Sequence, residues 1–309
     1  MNMSNCWFCY KDAGDKEYHE RCSKKFFGTV QAPELELTSG LLKKLAEKTI
    51  NQRIAITGVQ PKLSVSLQKN KEQNRLTIVG LWGEYILKPQ HDNYPIMPET
   101  EDLTMHIAEL FKIPVCEHAL LRTTDNHLVY IAKRFDRTKK QKIHVEDLCQ
   151  LSGFLTENKY KGSYEKTGKV ILQYCTDAGL AALTYFELVL FSYLSGNNDM
   201  HLKNFSIVHL EDSIALSPAY DLLNVNLVNP KDEDDLGLTL NGKKRKIKLS
   251  DFEQLRIALG IGEKVFQNTV KKFKSKNPQV HDLIMSSFLP DEMKTRYWEI
   301  WLSKQTILG

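Results

Sequence analysis

The sequence predicts an α+β chain in two unequal parts, a smaller strand-rich part followed by a larger helical one. Short apolar segments between about residues 32 and 136 alternate in character and are separated by turn-prone stretches, as half-buried strands are. From Glu146 onward the apolar residues recur at helical spacing instead. The length of 309 residues, 42% of them hydrophobic and 26% charged, is enough for one large or two moderate domains with a sizeable core. We divide the chain into a Cys/His-bearing segment over 1–30, a strand-rich lobe over 31–137 and a helical lobe over 138–309.

The elements follow in order. LSVSL (63–67) alternates strictly, and RLTIVG (75–80) and EYILKP (84–89) read as further strands, with turn-prone residues Lys69–Asn74 and Leu81–Gly83 between them. Pro98, followed by Glu99 and Thr100, opens a helix whose apolar positions Leu103, Ile107, Leu110 and Phe111 keep helical spacing. LVYIAKRF (128–135) is another strand. Helices are expected over 178–194, 250–260, 262–275 and 291–303. FSIVHL (205–210) and SIAL (213–216) flank the turn pair Glu211–Asp212 and predict a hairpin.

Composition excludes more than it names. A net charge of +4 from 42 basic and 38 acidic residues does not by itself argue for nucleic acid. The apolar run Leu180–Leu194 contains Glu187 and falls short of the roughly 20 residues a membrane span needs, so it predicts a buried helix. The first eight residues lack the basic start and apolar core of a secretory signal, and the six cysteines form no disulfide framework. A cytoplasmic location is the expectation.

The chemistry concentrates in GNNDMHLKNFSIVHLEDSIALSPAYDLL, from Gly196 to Leu223, directly after the buried helix. Asp199 and Asn204 are five apart, and Asp221 follows the hairpin, which returns the chain close to where it left. Two carboxylates and an amide supply hard oxygen ligands for Mg²⁺ with substrate phosphates, and leave one carboxylate to accept a hydroxyl proton. Asn197, Asn198 and Asp199 acting only as a helix-end turn is the plainer alternative. A second set lies in the strand-rich lobe. Ile56-Thr57-Gly58-Val59-Gln60-Pro61-Lys62 joins two apolar segments, and its Gly58 lets backbone approach a phosphate. Lys88 ends an apolar strand, and Glu99 or Glu101 at the next helix start offers it a carboxylate.

In this order the pieces resemble a protein kinase: loop, strand lysine, helix glutamate, Asp with Asn five later, second Asp. The chain is not spelled like the common eukaryotic kinases, having no GxGxxG, HRD or DFG. ITGVQPKLS, ILKP, KRFDR, EDLCQ, GNNDMHLKNFS and PAYDLL are instead similar to the HipA-like toxin kinases, over about residues 30–260. The resemblance implies a two-lobed kinase fold with a small β-rich N-lobe and a larger helical C-lobe. It implies a bacterial toxin that uses ATP and Mg²⁺ to phosphorylate serine on a protein, typically an aminoacyl-tRNA synthetase, and so halts translation.

Motif by motif, the resemblance makes Asp199 the catalytic base and Asn204 and Asp221 the metal ligands. Lys88 contacts the ATP phosphates; Gly58, Lys62, His201 and Lys203 lie near the nucleotide; Arg134 and Phe135 form the hinge that meets adenine. Lys133 stands where many relatives carry an acidic hinge residue. Family members commonly have serines before the loop glycine, whose autophosphorylation silences the kinase. Here those positions read Ala55-Ile56-Thr57, so Thr57 is the expected regulatory site, where phosphorylation would add about −1.5 to −2 charge beside the ATP phosphates. Full-length members carry an additional N-terminal subdomain before the loop. The shorter chain here resembles the HipT branch, where a separate small antitoxin supplies that part and a second partner carries a helix-turn-helix.

Cys6-x2-Cys9 and His19-x2-Cys22 offer four ligands in two pairs, a set that suits structural tetrahedral zinc. Short HipA-like chains begin similarly, but reduced thiols around a Trp7–Phe8 plug are the alternative. The acidic run Lys231–Asp235 and the basic run Lys243–Lys248 read either as a self-neutralising surface or, for the basic one, as a nucleic-acid contact. Two other functions remain open from sequence: a small-molecule kinase on a related fold, and an inactive module that binds antitoxin or DNA.

Overall fold

The computed structural model describes residues 5–51, 61–69, 74–79, 82–138 and 141–309, with the side chains of 49–51 excepted. The loop residues Thr57 and Gly58 lie outside this set. The chain divides into two compact units, one of Met1–Leu103, Cys116–Arg134 and Ser286–Leu289, the other of Thr104–Val115, Phe135–Met285 and Pro290–Gly309.

The first unit is built on a five-stranded antiparallel sheet of order β2-β1-β3-β5-β4. Its strands are β1 (Leu63–Gln68), β2 (Arg75–Ile78), β3 (Tyr85–Lys88), β4 (His118–Arg122) and β5 (Leu128–Lys133). Alternation sets the register, because a slip by one residue would turn the buried set to solvent. Leu63 and Val65 of β1 are buried and pair with Leu87 and Tyr85 of β3, and Lys88 pairs with Tyr130 of β5. β4 was not expected from the sequence. It is nearly continuously buried at His118–Leu121, so it shows no alternation to detect.

Two further helices precede the sheet, α1 (Glu20–Phe27) in the Cys/His segment and α2 (Ser39–Asn51) in the stretch where the sequence pattern suggested strands with one later helical interruption. Eight residues are too few for periodicity to announce α1. Its end is marked by Gly28 at φ 72°, whose N–H caps the Lys24 carbonyl. Cys22, Phe26 and Phe27 of α1 join Trp7, Tyr18, Leu42, Val65, Leu87 and Ile131 in one core, so the N-terminal segment packs as part of the sheet unit. α3 (Met97–Leu110) begins one residue before the expected proline.

The second unit is helical around α6 (Ala178–Leu194), after α4 (Leu148–Leu151) and α5 (Tyr164–Tyr174). Asp177 caps α6 by accepting from the Leu180 N–H, and most of the helix is buried, as its apolar run requires. Its one internal charge, Glu187, is held by Lys272 at 2.6 Å. α8 (Leu249–Ala258), α9 (Glu263–Ser275), α10 (Asn277–Ser286) and α11 (Asp291–Gln305) follow the one-turn α7 (Val225–Val228). Phe273 of α9 and Trp301 of α11 stack on Phe111 with centroids at 4.3 and 5.8 Å. The predicted hairpin is β7 (Ser206–His209) with β8 (Ile214–Leu216). β6 (Val145–Asp147) pairs with β7 where helix was expected, and the helix at EDLCQ is only α4. Asp147 explains the change: it ends the strand and caps α4 in a capping box with Gln150. No helix among the described residues is long and apolar enough to cross a membrane.

Candidate functional site

In the second unit α6 delivers the chain into the polar loop through Gly196, which adopts φ 70°. A Cβ there would lie 2.7 Å from Asn224 Oδ1, so only glycine fits. Asn197, Asn198, Met200 and His201 are buried, and their neighbours hold the loop from several sides. Tyr164 donates to the Met200 carbonyl at 2.9 Å, and Asn198 donates to the Asp234 carbonyl at 2.9 Å. Asp199 itself is half-buried and accepts from the Tyr160 hydroxyl at 2.5 Å.

Asn204 closes a single 3₁₀ turn, Leu202–Asn204, and its side-chain amide donates back to the Asp199 carbonyl at 3.1 Å. This is why a five-residue separation brings the two together. Asp221 is joined to them by the hairpin. The Ser217 N–H donates to Ser206 at 2.9 Å, and Tyr220 beside Asp221 donates its hydroxyl to the carbonyl of Lys203 beside Asn204 at 3.0 Å. Asp221 sits at φ 55°, a left-handed conformation that costs a non-glycine residue roughly 1–3 kcal/mol. Burial lowers the pKa of His201, while the charges of Asp199 and Asp221 both act on it in the opposite sense. Lys203 is paired with Asp147 at 2.7 Å, so it tethers the loop to β6 and α4.

In the first unit Lys88 ends β3 buried, with Nζ 2.6 Å from Glu101 and 5.4 Å from the Tyr130 ring. Of the two carboxylates the sequence offered, Glu101 takes the lysine. Glu99 instead keeps Oε2 buried without a hydrogen bond, and burial pushes its carboxyl up to about 7. Lys62 is exposed. Lys133 pairs with Glu117 at 2.9 Å. The chain leaves this unit after Arg134, whose N–H donates to the Glu84 carbonyl at 2.9 Å, and Phe135 in the next unit stacks on Tyr220 at 5.7 Å.

The Cys/His segment folds into a compact cluster in which one ligand atom each of Cys6, Cys9, His19 and Cys22 lies within 4.8 Å of all the others. His19 turns Nδ1 toward the Cys9 and Cys22 sulfurs, at 3.5 and 3.6 Å, and Nε2 toward the Asp12 carbonyl at 2.9 Å. An Nε2–H donated to that carbonyl leaves the Nδ1 lone pair facing the thiols, the usual way a ligating histidine is oriented. Three sulfurs and one imidazole nitrogen form a closed set that fits tetrahedral zinc.

The runs at 231–235 and 243–248 meet through Arg245, and other members pair with charges outside the runs. Arg245 bonds Asp234 at 2.7 Å and Glu233 at 2.8 Å, and Lys243 bonds Asp251 at 2.7 Å. Sequence reasoning missed Tyr160, Asp147 and the chain Tyr10–Asp102–His118. Tyr10 donates to Asp102 at 2.7 Å, and His118 Nδ1 lies 2.7 Å from the other carboxylate oxygen, all buried. Tyr10 and Asp102 are 92 residues apart, and no local pattern links them.

The described residues thus define an α+β protein with a five-stranded antiparallel sheet unit and a helical unit. The chain belongs to the family of the HipA-like C-terminal domain, whose model matches residues 54–280. It is 28% identical over 271 residues to a Haemophilus influenzae protein named "Putative kinase", covering 77% of each chain. It is 26% identical over 196 residues to the serine/threonine-protein kinase toxin HipA of Shewanella oneidensis, covering 57% of this chain but only 44% of that one. The solved structure of Shewanella oneidensis HipA, in complex with HipB and its operator DNA, superposes with a TM-score of 0.67 at 18% identity. That superposition covers 82% of this chain and 64% of HipA, and it shows the shared fold.

Proposed function

We propose that the protein is an ATP- and Mg²⁺-dependent serine/threonine protein kinase of the toxin type. The observation that carries this reading is the buried Lys88–Glu101 pair in one unit together with the tethered Asp199, Asn204 and Asp221 in the other. Phosphoryl transfer needs positioning and charge stabilisation more than covalent chemistry, and these residues are the parts it uses. Asp199 orients the substrate hydroxyl and accepts its proton. Asn204 and Asp221 hold Mg²⁺, whose role when bound is to neutralise phosphate charge. Lys88 contacts the ATP phosphates, with Gly58, Lys62, His201 and Lys203 near the nucleotide and Arg134 and Phe135 at the adenine.

The finer parts of the reading rest on the family resemblance. They are a lobe division at about residue 137, autophosphorylation of Thr57, an aminoacyl-tRNA synthetase as substrate, and membership of the HipT branch with two small antitoxin partners. HipA of Shewanella oneidensis forms a complex with HipB and DNA, which supports a partner with a helix-turn-helix that meets DNA on this chain's behalf. The pairing of Arg245 and Lys243 with carboxylates favours that indirect contact over direct DNA binding. We assign Cys6, Cys9, His19 and Cys22 to a structural zinc.

Incubation with labelled ATP, Mg²⁺ and a bacterial lysate tests the activity. Transfer to one protein band by the wild type, lost in Asp199→Asn, is the expected result; label appearing only in metabolites would show a small-molecule kinase instead.

A further inference from the structure

The Cys/His cluster is joined to the two elements that carry the Lys88–Glu101 pair. Tyr10 follows Cys9 directly, with its N–H on the Cys6 carbonyl at 2.9 Å and φ 58°, so its place depends on the Cys6–Cys9 loop. Its hydroxyl donates to the buried carboxylate of Asp102, the residue next to Glu101 on α3. The other half of the cluster, His19 and Cys22, starts α1, whose far end carries Phe26. Phe26 lies against the Tyr85 ring with centroids 5.6 Å apart and accepts the Tyr85 hydroxyl on its carbonyl at 3.1 Å. Tyr85 opens β3, the strand that ends at Lys88.

The loop that sets Tyr10 and the helix that sets Phe26 are separate stretches of chain, which meet at the cluster and where the Phe8 ring lies 5.5 Å from that of Phe26. Without a cation the four ligands offer one another weak side-chain contacts, among them the sulfur–imidazole approaches at 3.5 and 3.6 Å. A zinc ion bound by all four would replace these with strong bonds and fix the two stretches relative to each other.

We propose that zinc bound by Cys6, Cys9, His19 and Cys22 positions the Lys88–Glu101 pair, by fixing Tyr10 on α3 and Phe26 on β3. The ion has no part in phosphoryl transfer, since a closed four-ligand set leaves no site for substrate. The inference deepens the kinase reading, because the pair it positions is the one assigned to ATP. Tyr10 is a positioning residue in this scheme. Loss of zinc to a chelator would lower nucleotide affinity by loosening α3 and β3 while leaving the Asp199 loop intact.

The test combines zinc content, amide hydrogen exchange and ATP binding on the full chain. Wild type as purified should carry one zinc per chain by elemental analysis, and Cys22→Ser should lose it. Tyr10→Phe should keep its zinc, yet show exchange over 97–103 and ATP binding each changed by about tenfold, the effect of losing one hydrogen bond to a buried charge. It also guards against a Cys22→Ser chain that fails to fold. Zinc-free wild type, or a zinc-loaded Tyr10→Phe with unchanged exchange and ATP affinity, overturns the inference. If wild type carries zinc but binds no ATP, the kinase reading falls, and the exchange of Tyr10→Phe alone decides whether the cluster positions α3.

Discussion

Lys88 and Glu101 meet at 2.6 Å with side chains only 6% and 2% exposed, so a full ion pair is held inside the sheet unit. Two charges taken out of water repay their desolvation only while both are present, and removing one leaves the other buried and uncompensated. Lys88→Met should therefore destabilise the protein by about 3–5 kcal/mol, and Lys88→Met/Glu101→Leu should recover most of that loss. Urea unfolding measures both. ATP titration separates stability from function: the double variant should regain stability and still fail to bind nucleotide.

Gly196 is the joint between the most buried helix of the second unit and the Asp199 loop. Alanine there must adopt φ 70° and push aside Asn224 Oδ1, which caps α7 by accepting the Leu227 N–H at 3.0 Å. Gly196→Ala should cost roughly 1–3 kcal/mol and displace the loop, lowering phosphoryl transfer more than ATP binding. Comparing melting temperature with the two functional readouts checks this. A variant as stable and active as wild type would show that the glycine is not needed.

How much of this was visible in the chain depends on whether contacts are local. The Asp199–Asn204 spacing and the hairpin to Asp221 are short-range, so the arrangement of the loop could be anticipated from residues 196–223. A lysine ending an apolar strand is ordinary by itself, and Lys88 stood out only through the carboxylates at the next helix start and the order of the surrounding motifs. The choice of Glu101 over Glu99 was not anticipated, since it depends on which face of α3 meets β3. Tyr10–Asp102–His118 and Lys203–Asp147 were invisible because their members lie far apart in sequence and each residue alone is ordinary. β4 escaped because it is buried too continuously to alternate, and β6 because three residues carry no period.

The basic run gives a prediction of the opposite kind. Arg245 is already engaged by Glu233 and Asp234, and Lys243 by Asp251. Replacing Lys243 and Arg245 by glutamine should leave nucleic-acid retention at 0.15 M salt unchanged, because partnered charges release few counterions. A clear loss of DNA or RNA binding in the double variant would make this face a contact surface.

Glu99 supplies a pH signature. Its carboxyl is pushed up to about 7 chiefly by burial, against an ordinary value of 4.5, and Oε2 has no hydrogen bond to support a charge. The folded state therefore binds this proton more tightly than the unfolded state does. The stability it contributes is fully present below about pH 4.5 and is lost as pH rises through about 7. Glu99→Gln keeps the shape of the neutral carboxyl and removes the titration. Relative to wild type, the variant should be little changed at pH 5 and more stable at pH 8, by on the order of 2–3 kcal/mol. Urea midpoints for the two proteins at pH 5, 6, 7 and 8 give the difference directly, and groups shared by both cancel in it. A difference that stays flat across this range would mean that the Glu99 carboxylate is solvated in the folded protein.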